Sequence, residues 1–314
     1  MKILVDGPIK PMTAKSFPVI ALCSFLSLVF TGTANAAEKI PIIDAHSQVD
    51  HLTDLDSIVP LLDKAGVRRV ILAARGKLKH FDMGALANKY PDRITIAMRT
   101  KGRAYAANKP RYYKLLRKQT EMDQFRGMAE VILWHAEKGD KAPEWSVPVK
   151  SPQVQAALKI ALERKWPFIP HYEFGSAGFF SRGGFMKELE GLLQDYPNHP
   201  FLLIHMAQLD AKEAKRLIEA HGNVHFLTSH ANTYSVSRSN QPWVNMFDGE
   251  KLSAEWRALI IAHPDRFVMA FDNVFSEHWG TYFLEQVALW RKALADLPVK
   301  VAHMIAHGNA ERLW

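Results

Sequence analysis

Eight short apolar runs rich in branched residues, each followed by a longer amphipathic stretch, recur between residues 40 and 272 and constrain the fold more than any other feature. An apolar run that opens and closes abruptly reads as a strand buried on both faces, and such strands alternating with helices read as repeated βα units. The runs occupy 40–44, 69–74, 94–98, 127–133, 167–171, 201–205, 224–228 and 267–272. Helices are expected over 56–65, 153–164, 185–196, 212–220, 253–262 and 282–294, and Gly66, Pro91, Pro197 and Pro264 stand where helices stop. An open doubly wound sheet of this size would carry a glycine-rich turn after its first strand. That turn here reads Ala45-His46-Ser47-Gln48, so the expectation is a closed (β/α)8 TIM barrel forming one domain over 37–314.

The first 36 residues read differently. Lys10 and Lys15 precede an apolar run over 17–30 that ends in Ala34-Asn35-Ala36, the pattern of a cleavable signal peptide. That run is short against the ~20 residues of a spanning helix, so no stable membrane anchor is expected after cleavage. The mature chain is expected to begin near Ala37 and to be exported, to a periplasm-like compartment. Met1 and Met12 both serve as candidate starts. Cys23 as a lipid-modified residue is disfavoured by the bulky Leu22 before it. Because Cys23 is the only cysteine, the mature chain has no thiol, and any metal must be held by His, carboxylate or amide oxygen. Cleavage removes Lys2, Lys10 and Lys15 against Asp6, so the balance falls from +8 to +6. The basic residues are scattered rather than clustered, which gives nucleic-acid binding no support.

Polar residues close several of the apolar runs. His46 follows 42–45, His171 ends 168–171, His205 ends 202–205, and Asp272 ends 268–272. Each alone has a bland reading as a hydrogen-bonded strand end. In a barrel, however, all strand C-termini open onto one face, so these four converge although they are far apart in sequence. Three imidazoles and a carboxylate are the donor set of a divalent catalytic metal with a place left for water. Zinc suits them first, and manganese or iron would accept them.

Several segments together resemble the amidohydrolase-related branch of the metal-dependent hydrolase superfamily, the amidohydrolase 2 branch. Ile43-Asp44-Ala45-His46 is similar to its first-strand metal motif, Leu62-Asp63-Lys64-Ala65-Gly66-Val67 to the segment leading into strand two, and Tyr90-Pro91-Asp92-Arg93 to the approach to strand three. Gly127-Met128-Ala129-Glu130 resembles a strand-four pattern of some members, and 307–313 resembles the closing segment. The resemblance implies that His171 and His205 hold the strand-five and strand-six positions, and that Asp272 is the carboxylate that handles the proton. It departs at strand one, where His-x-His is usual and His46-Ser47-Gln48 stands here. Gln48 points the same way as His46, and its amide oxygen is a weaker ligand than imidazole. Glu130 reads equally as an extra ligand or as a hydrogen-bond acceptor behind one.

The loops after the strands carry Arg99, Lys101 and Arg103; Phe174, Phe179, Phe180 and Arg182; and Tyr234, Arg238 and Trp243. Of these, Arg99, Arg182, Arg238 and Trp243 are the candidate contacts to a small anionic substrate. His135, His230 and His278 also lie near strand ends, but with 14 histidines in the chain some fall there by chance. Three functions fit. The first is hydrolysis of an amide, lactone or ester, with Asp272 and His205 as the catalytic pair. The second is non-oxidative decarboxylation on the same scaffold, as in members of the branch with a changed first-strand motif. The third is a non-catalytic binding protein with a degenerate metal site. A homo-oligomer is compatible with all three.

Overall fold

The computed structural model describes residues 40–139 and 142–314, and the expected signal segment lies outside the described residues. All eight expected strand positions are occupied. The first four are Ile42–Val49, Val67–Ala74, Ile94–Met98 and a fourth split into Phe125–Met128 and Val131–His135. The remaining four are shorter: Pro170–Tyr172, Phe201–Leu203, Val224–Leu227 and Phe267–Val268. Neighbours pair in parallel in chain order. Ala129 N bonds to Met98 O while Val131 N bonds to Ile169 O, so the broken fourth strand still joins the third to the fifth. A bridge between Phe168 and Phe201 joins the fifth to the sixth. The ring closes where Ala45 N meets Met269 O at 2.9 Å, Gln48 N meets Asn273 O at 2.7 Å and Asp272 N meets His46 O at 2.8 Å.

The alternation of side chains builds two cores. Ile42, Val70, Leu72 and Ile96 point outward into the layer under the helices, while Ile43, Ile71, Ala73, Ala97, Ala129, Leu202 and Val268 point into the barrel. The inner set is narrow because many of its members are alanine, which leaves room for large polar groups one layer above. Ala310, Leu313 and Trp314 join it from below. A Cβ on Gly127 would lie 2.6 Å from Trp314 Nε1, so only glycine admits that ring.

Two local expectations are corrected. The first strand does not turn at residue 45 but runs to Val49, with a register shift between Asp44 and Ser47. Asp44 stabilises this path: its carboxylate accepts from Ser47 Oγ, His46 N and Phe271 N, which ties the first strand to the last. Residues 179–184 are not loop but the opening of the helix Phe179–Asp195. The helix that follows the third strand, Pro110–Thr120, starts on a proline at its first position, where a missing N–H costs nothing. No helix among the described residues is long and apolar enough to cross a membrane.

Candidate metal centre

The strand ends deliver their polar side chains to one bowl. His46, Gln48, Glu130, His171, His205 and Asp272 are all buried there, none more than 5% exposed. Two of them leave their strands through left-handed backbone. His205 opens a turn in which it and Met206, Ala207 and Gln208 have φ of 55°, 54°, 53° and 56°, and Asp272 has φ of 49°. Such a conformation costs a non-glycine residue about 1–2 kcal/mol, so the surroundings must impose it. Around the His205 turn they do: Phe174 N donates to Ala207 O, and Gln208 Oε1 accepts from both Ser176 N and Ser176 Oγ at 2.9 Å.

Gln48 sits between the two buried carboxylates. Its amide nitrogen donates to Asp272 Oδ1 at 2.7 Å and to Glu130 Oε1 at 3.1 Å. Two acceptors can be served only by the NH2 end, so the amide oxygen faces away from them. His46 Nε2 lies 3.5 Å from Asp272 Oδ1 and 3.8 Å from Glu130 Oε1, and it has no hydrogen-bond partner. On the other side, His205 Nε2 is 3.6 Å from Asp272 Oδ2, and His230 Nδ1 is 3.8 Å from the same oxygen.

His171 faces carboxylates on both sides. Its Nδ1 contacts Glu130 Oε2, and its Nε2 lies 3.0 Å from Glu173 Oε1. Each carboxylate also has a lysine: Lys101 on Glu130, and Lys138 at 2.7 Å from both oxygens of Glu173. Burial works against ionisation of His171, but Glu130 and Glu173 outweigh it and push the imidazole up to about 9. Burial likewise opposes charge on Glu130 and Glu173, yet Lys101 and His171 hold the first well below the carboxylate range, and His171 and Lys138 bring the second to about 2. The opposite holds for His205 and His230: burial, with His230 and His171 adding to it, drives His205 well below its ordinary value, and burial takes His230 to about 4.

Three buried triads bring a donor atom from each member within 4.8 Å of the others: His46 with Glu130 and Asp272; Glu130 with His171 and His205; His205 with His230 and Asp272. They share corners, so they form one donor field. It fits a divalent ion on this chain's own chemistry. His46 Nε2 is buried and unpartnered, His205 and His230 are neutral, and among the described residues Asp272 has neither a lysine nor an arginine within ion-pair distance. A buried carboxylate is costly unless a cation or strong hydrogen bonds meet it.

The remaining expected residues divide. Trp243 lies on the bowl, with ring centroids 4.8 Å from His205 and 5.0 Å from His230, and Lys138 stands 4.9 Å above its face. The three arginines engage protein groups: Arg99 bonds to the carbonyls of Gly76 and Lys101, Arg182 pairs with Glu213 at 2.6 Å, and Arg238 with Glu285 at 3.0 Å. Glu173 and Lys138 were missed as site residues, and His230 was noted near a strand end but set aside. Glu173 had a readable signal, since residues two apart on a strand face the same side and His171 precedes it by two. Of the other histidines, His135 stacks 5.7 Å from His171, and His278 Nδ1 accepts from Val274 N.

The match to known families agrees with this geometry. The amidohydrolase family model matches residues 44–314. This chain belongs to the amidohydrolase family. The family usually binds a divalent metal, and the buried triads of this amidohydrolase are suited to one. Solved barrels superpose along most of its length at low identity. An uncharacterized TIM-barrel protein of Bordetella bronchiseptica is 16% identical, with a TM-score of 0.58 over 87% of this chain and 98% of that one. A 5-carboxyvanillate decarboxylase of Sphingomonas paucimobilis is 13% identical, with a TM-score of 0.53 over the same shares. A probable 2-pyrone-4,6-dicarboxylic acid hydrolase of Acinetobacter baumannii, solved with citric acid bound, is 12% identical, with a TM-score of 0.54 over 87% and 98%. These likenesses establish the barrel. No curated protein sequence matches the chain.

Proposed function

We propose that this amidohydrolase is a metal-dependent hydrolase that cleaves a C–N or C–O bond, in an amide, lactone or ester, of a small anionic substrate. The observation that carries the reading is Asp272, a buried carboxylate ringed by His46, His205 and His230 and, among the described residues, without a lysine or arginine to answer it. His46, Glu130 and Asp272 are the donors that would hold the ion, with His205 at the rim, His171 joining only by giving up a carboxylate contact, and zinc the best match to nitrogen and carboxylate ligands. A divalent ion there lowers the pKa of a coordinated water and polarises a carbonyl.

The protein's own part follows from which atoms are engaged. Gln48 occupies Asp272 Oδ1, so Oδ2 is the oxygen left to take a proton from the attacking water. The same proton then passes from Oδ2 to the leaving nitrogen or oxygen as the C–N or C–O bond breaks. His205, held neutral, can donate a hydrogen bond to the substrate carbonyl oxygen as charge grows there. Trp243, with Lys138 over its face, walls the bowl and favours a flat, negatively charged substrate. The mature protein, beginning near Ala37, is proposed to act in the periplasm.

One observation favours a second reading, non-oxidative decarboxylation. The Gln48 amide occupies Asp272 Oδ1, one of the two oxygens that could take a proton, and a reaction without water attack needs no base there. Isotope labelling separates the two. With a panel of carboxylated lactones, amides and aromatic acids in 18O water, a hydrolase places 18O in its product, whereas a decarboxylase releases carbon dioxide and leaves the label in solvent. Metal analysis of the purified protein accompanies the assay, and a chain without a stoichiometric divalent ion would refute both readings.

A further inference from the structure

The floor of the barrel carries a second set of nitrogen donors. There the chain runs through the helix Val299–His303, a π-helical turn Met304–Gly308, and the helix Asn309–Leu313. Asn309 donates to the carbonyls of Pro264 and Phe267, where the last strand begins, and Glu311 pairs with Arg68 at the start of the second strand. The segment therefore lies at the N-terminal ends of the strands, opposite the bowl that holds Asp272.

On a helical turn the fourth residue on is a neighbour of the first on the same face. Here those residues are His303 and His307. His303 Nδ1 lies 3.1 Å from His307 Nε2, with the rings 84° apart. The other nitrogen of His307, Nδ1, is 2.9 Å from Glu311 Oε2. An ionised carboxylate can only accept, so this contact puts the proton on Nδ1 and leaves the Nε2 lone pair aimed at His303. A carboxylate behind an imidazole whose far nitrogen is free is the arrangement that orients metal-binding histidines. Two nitrogens sharing one ion at about 2.1 Å, at right or tetrahedral angles, stand roughly 3.0–3.4 Å apart. The observed spacing falls in that interval, and both rings are only half-buried, so an ion can reach them from solvent.

We propose that His303 and His307 form a second, peripheral chelate for a divalent transition ion such as Cu2+, Ni2+ or Zn2+, with Glu311 orienting His307 and water completing the coordination. Without the ion, His303 Nδ1–H donates to His307 Nε2. Binding requires only that His303 carry its proton on Nε2, so both nitrogens turn their lone pairs to the ion and neither ring has to move far. The ion then clamps the turn that seals the barrel floor.

The test uses the mature protein without a histidine tag, its barrel ion loaded and excess metal removed, titrated with Cu2+. Calorimetry and electron paramagnetic resonance should register a further copper with nitrogen hyperfine structure from two imidazoles, while the content of the barrel ion stays unchanged. The wild-type spectrum needs no variant, so the result does not depend on how well variants fold. His303→Ala and His307→Gln should each weaken this binding at least about tenfold, and Glu311→Gln by about tenfold, with barrel metal content unaltered. Absence of additional copper in the wild type, or His303→Ala and His307→Gln variants that bind it as tightly as the wild type, would overturn the proposal.

Discussion

On the side of the bowl built by strands four and five, the carboxylates of Glu130 and Glu173 each meet a lysine and share His171 between them. On the side built by strands one, six, seven and eight, Asp272 is just as deeply buried but meets the Gln48 amide and three imidazoles instead. The first half is a closed ion network in which both carboxylates are answered from within, by two lysines and the imidazole they share, so it needs no further cation. The second half holds a buried carboxylate that no lysine or arginine among the described residues meets, and a cation is what it lacks. Chemistry is thus expected where the network is left open, and rigidity where it is closed.

The largest effect should come from the open side. Asp272→Asn keeps the shape and can keep a hydrogen bond with Gln48, but it removes both the charge and the proton acceptor. A fall in kcat of about 10²–10⁴ is expected, together with lower metal content by elemental analysis. Full turnover in Asp272→Asn would reverse the comparison and move the chemistry to the closed side.

On the closed side the expected effect is on stability. Lys138→Met leaves Glu173, fully buried, with one cation fewer, and should cost about 3–5 kcal/mol in denaturant unfolding. Adding Glu173→Gln in the same chain should recover much of that loss, because no charge is then stranded. A single variant within about 1 kcal/mol of wild type would mean that the network is not closed after all.

The same network sets a pH signature in metal-free protein. Glu173, held at about 2 against 4.5 for a free carboxyl, contributes stability that is present above 4.5 and lost as pH falls toward 2. His171, raised from 6.5 to about 9, contributes stability that is complete below 6.5 and lost as pH rises through 9. Thermal unfolding should therefore be most resistant between roughly 4.5 and 6.5, and Glu173→Gln should flatten both limbs by a few degrees. An unchanged profile in that variant would separate Glu173 from the stability of the site.

The two sides also differ in how readable they were from the sequence. His46, His171, His205 and Asp272 could be picked out because each closes an apolar run, and a closed barrel turns strand ends into neighbours however far apart they lie in the chain. Lys138 sits on a loop, whose course is decided by tertiary packing rather than by any local period, so nothing near it in sequence announced its place, while His230 stood near a strand end but could not be told from the other histidines there. The break in the fourth strand at Ala129-Glu130 escaped for a related reason: Glu130 interrupts the apolar run there, but one polar residue does not say that the ladder changes partner. The helix opening at Phe179 was hidden by Gly183-Gly184, which are poor helix formers. Contacts hold that turn against its propensity, since Arg182 reaches both Phe174 O and Glu213. The strand-one departure was legible as a residue but not as a role, for only the structure places the Gln48 amide between two carboxylates.

Gln48→His tests that role with a smaller expected effect. An imidazole has at most one proton per nitrogen, so it cannot serve Glu130 and Asp272 from one atom as the amide does. Metal-free stability should fall by about 1–2 kcal/mol, the order of one buried hydrogen bond. Affinity for Zn2+ should rise by about tenfold, because imidazole nitrogen is the better ligand. A variant that loses stability without gaining affinity would make Gln48 a purely structural bridge and remove strand one from the metal's reach beyond His46.

The smallest effect is expected outside the bowl. Arg238 pairs with Glu285 at 3.0 Å and lies 5.1 Å above the Tyr282 ring, with both members of the ion pair substantially exposed. Solvated pairs of this kind contribute about 0–1 kcal/mol, so Arg238→Ala should leave the unfolding midpoint nearly unchanged. Its guanidinium is committed to the outer helix, and KM for an anionic substrate should shift less than twofold or so, while Trp243→Ala, on the bowl itself, should raise KM by about tenfold or more. If Arg238→Ala instead raised KM as much as Trp243→Ala while the midpoint stayed fixed, Arg238 would have to release Glu285 and swing to the substrate. The cation missing from the open side would then be supplied in part by this loop arginine, and the contrast between the two halves would hold only for the protein without substrate.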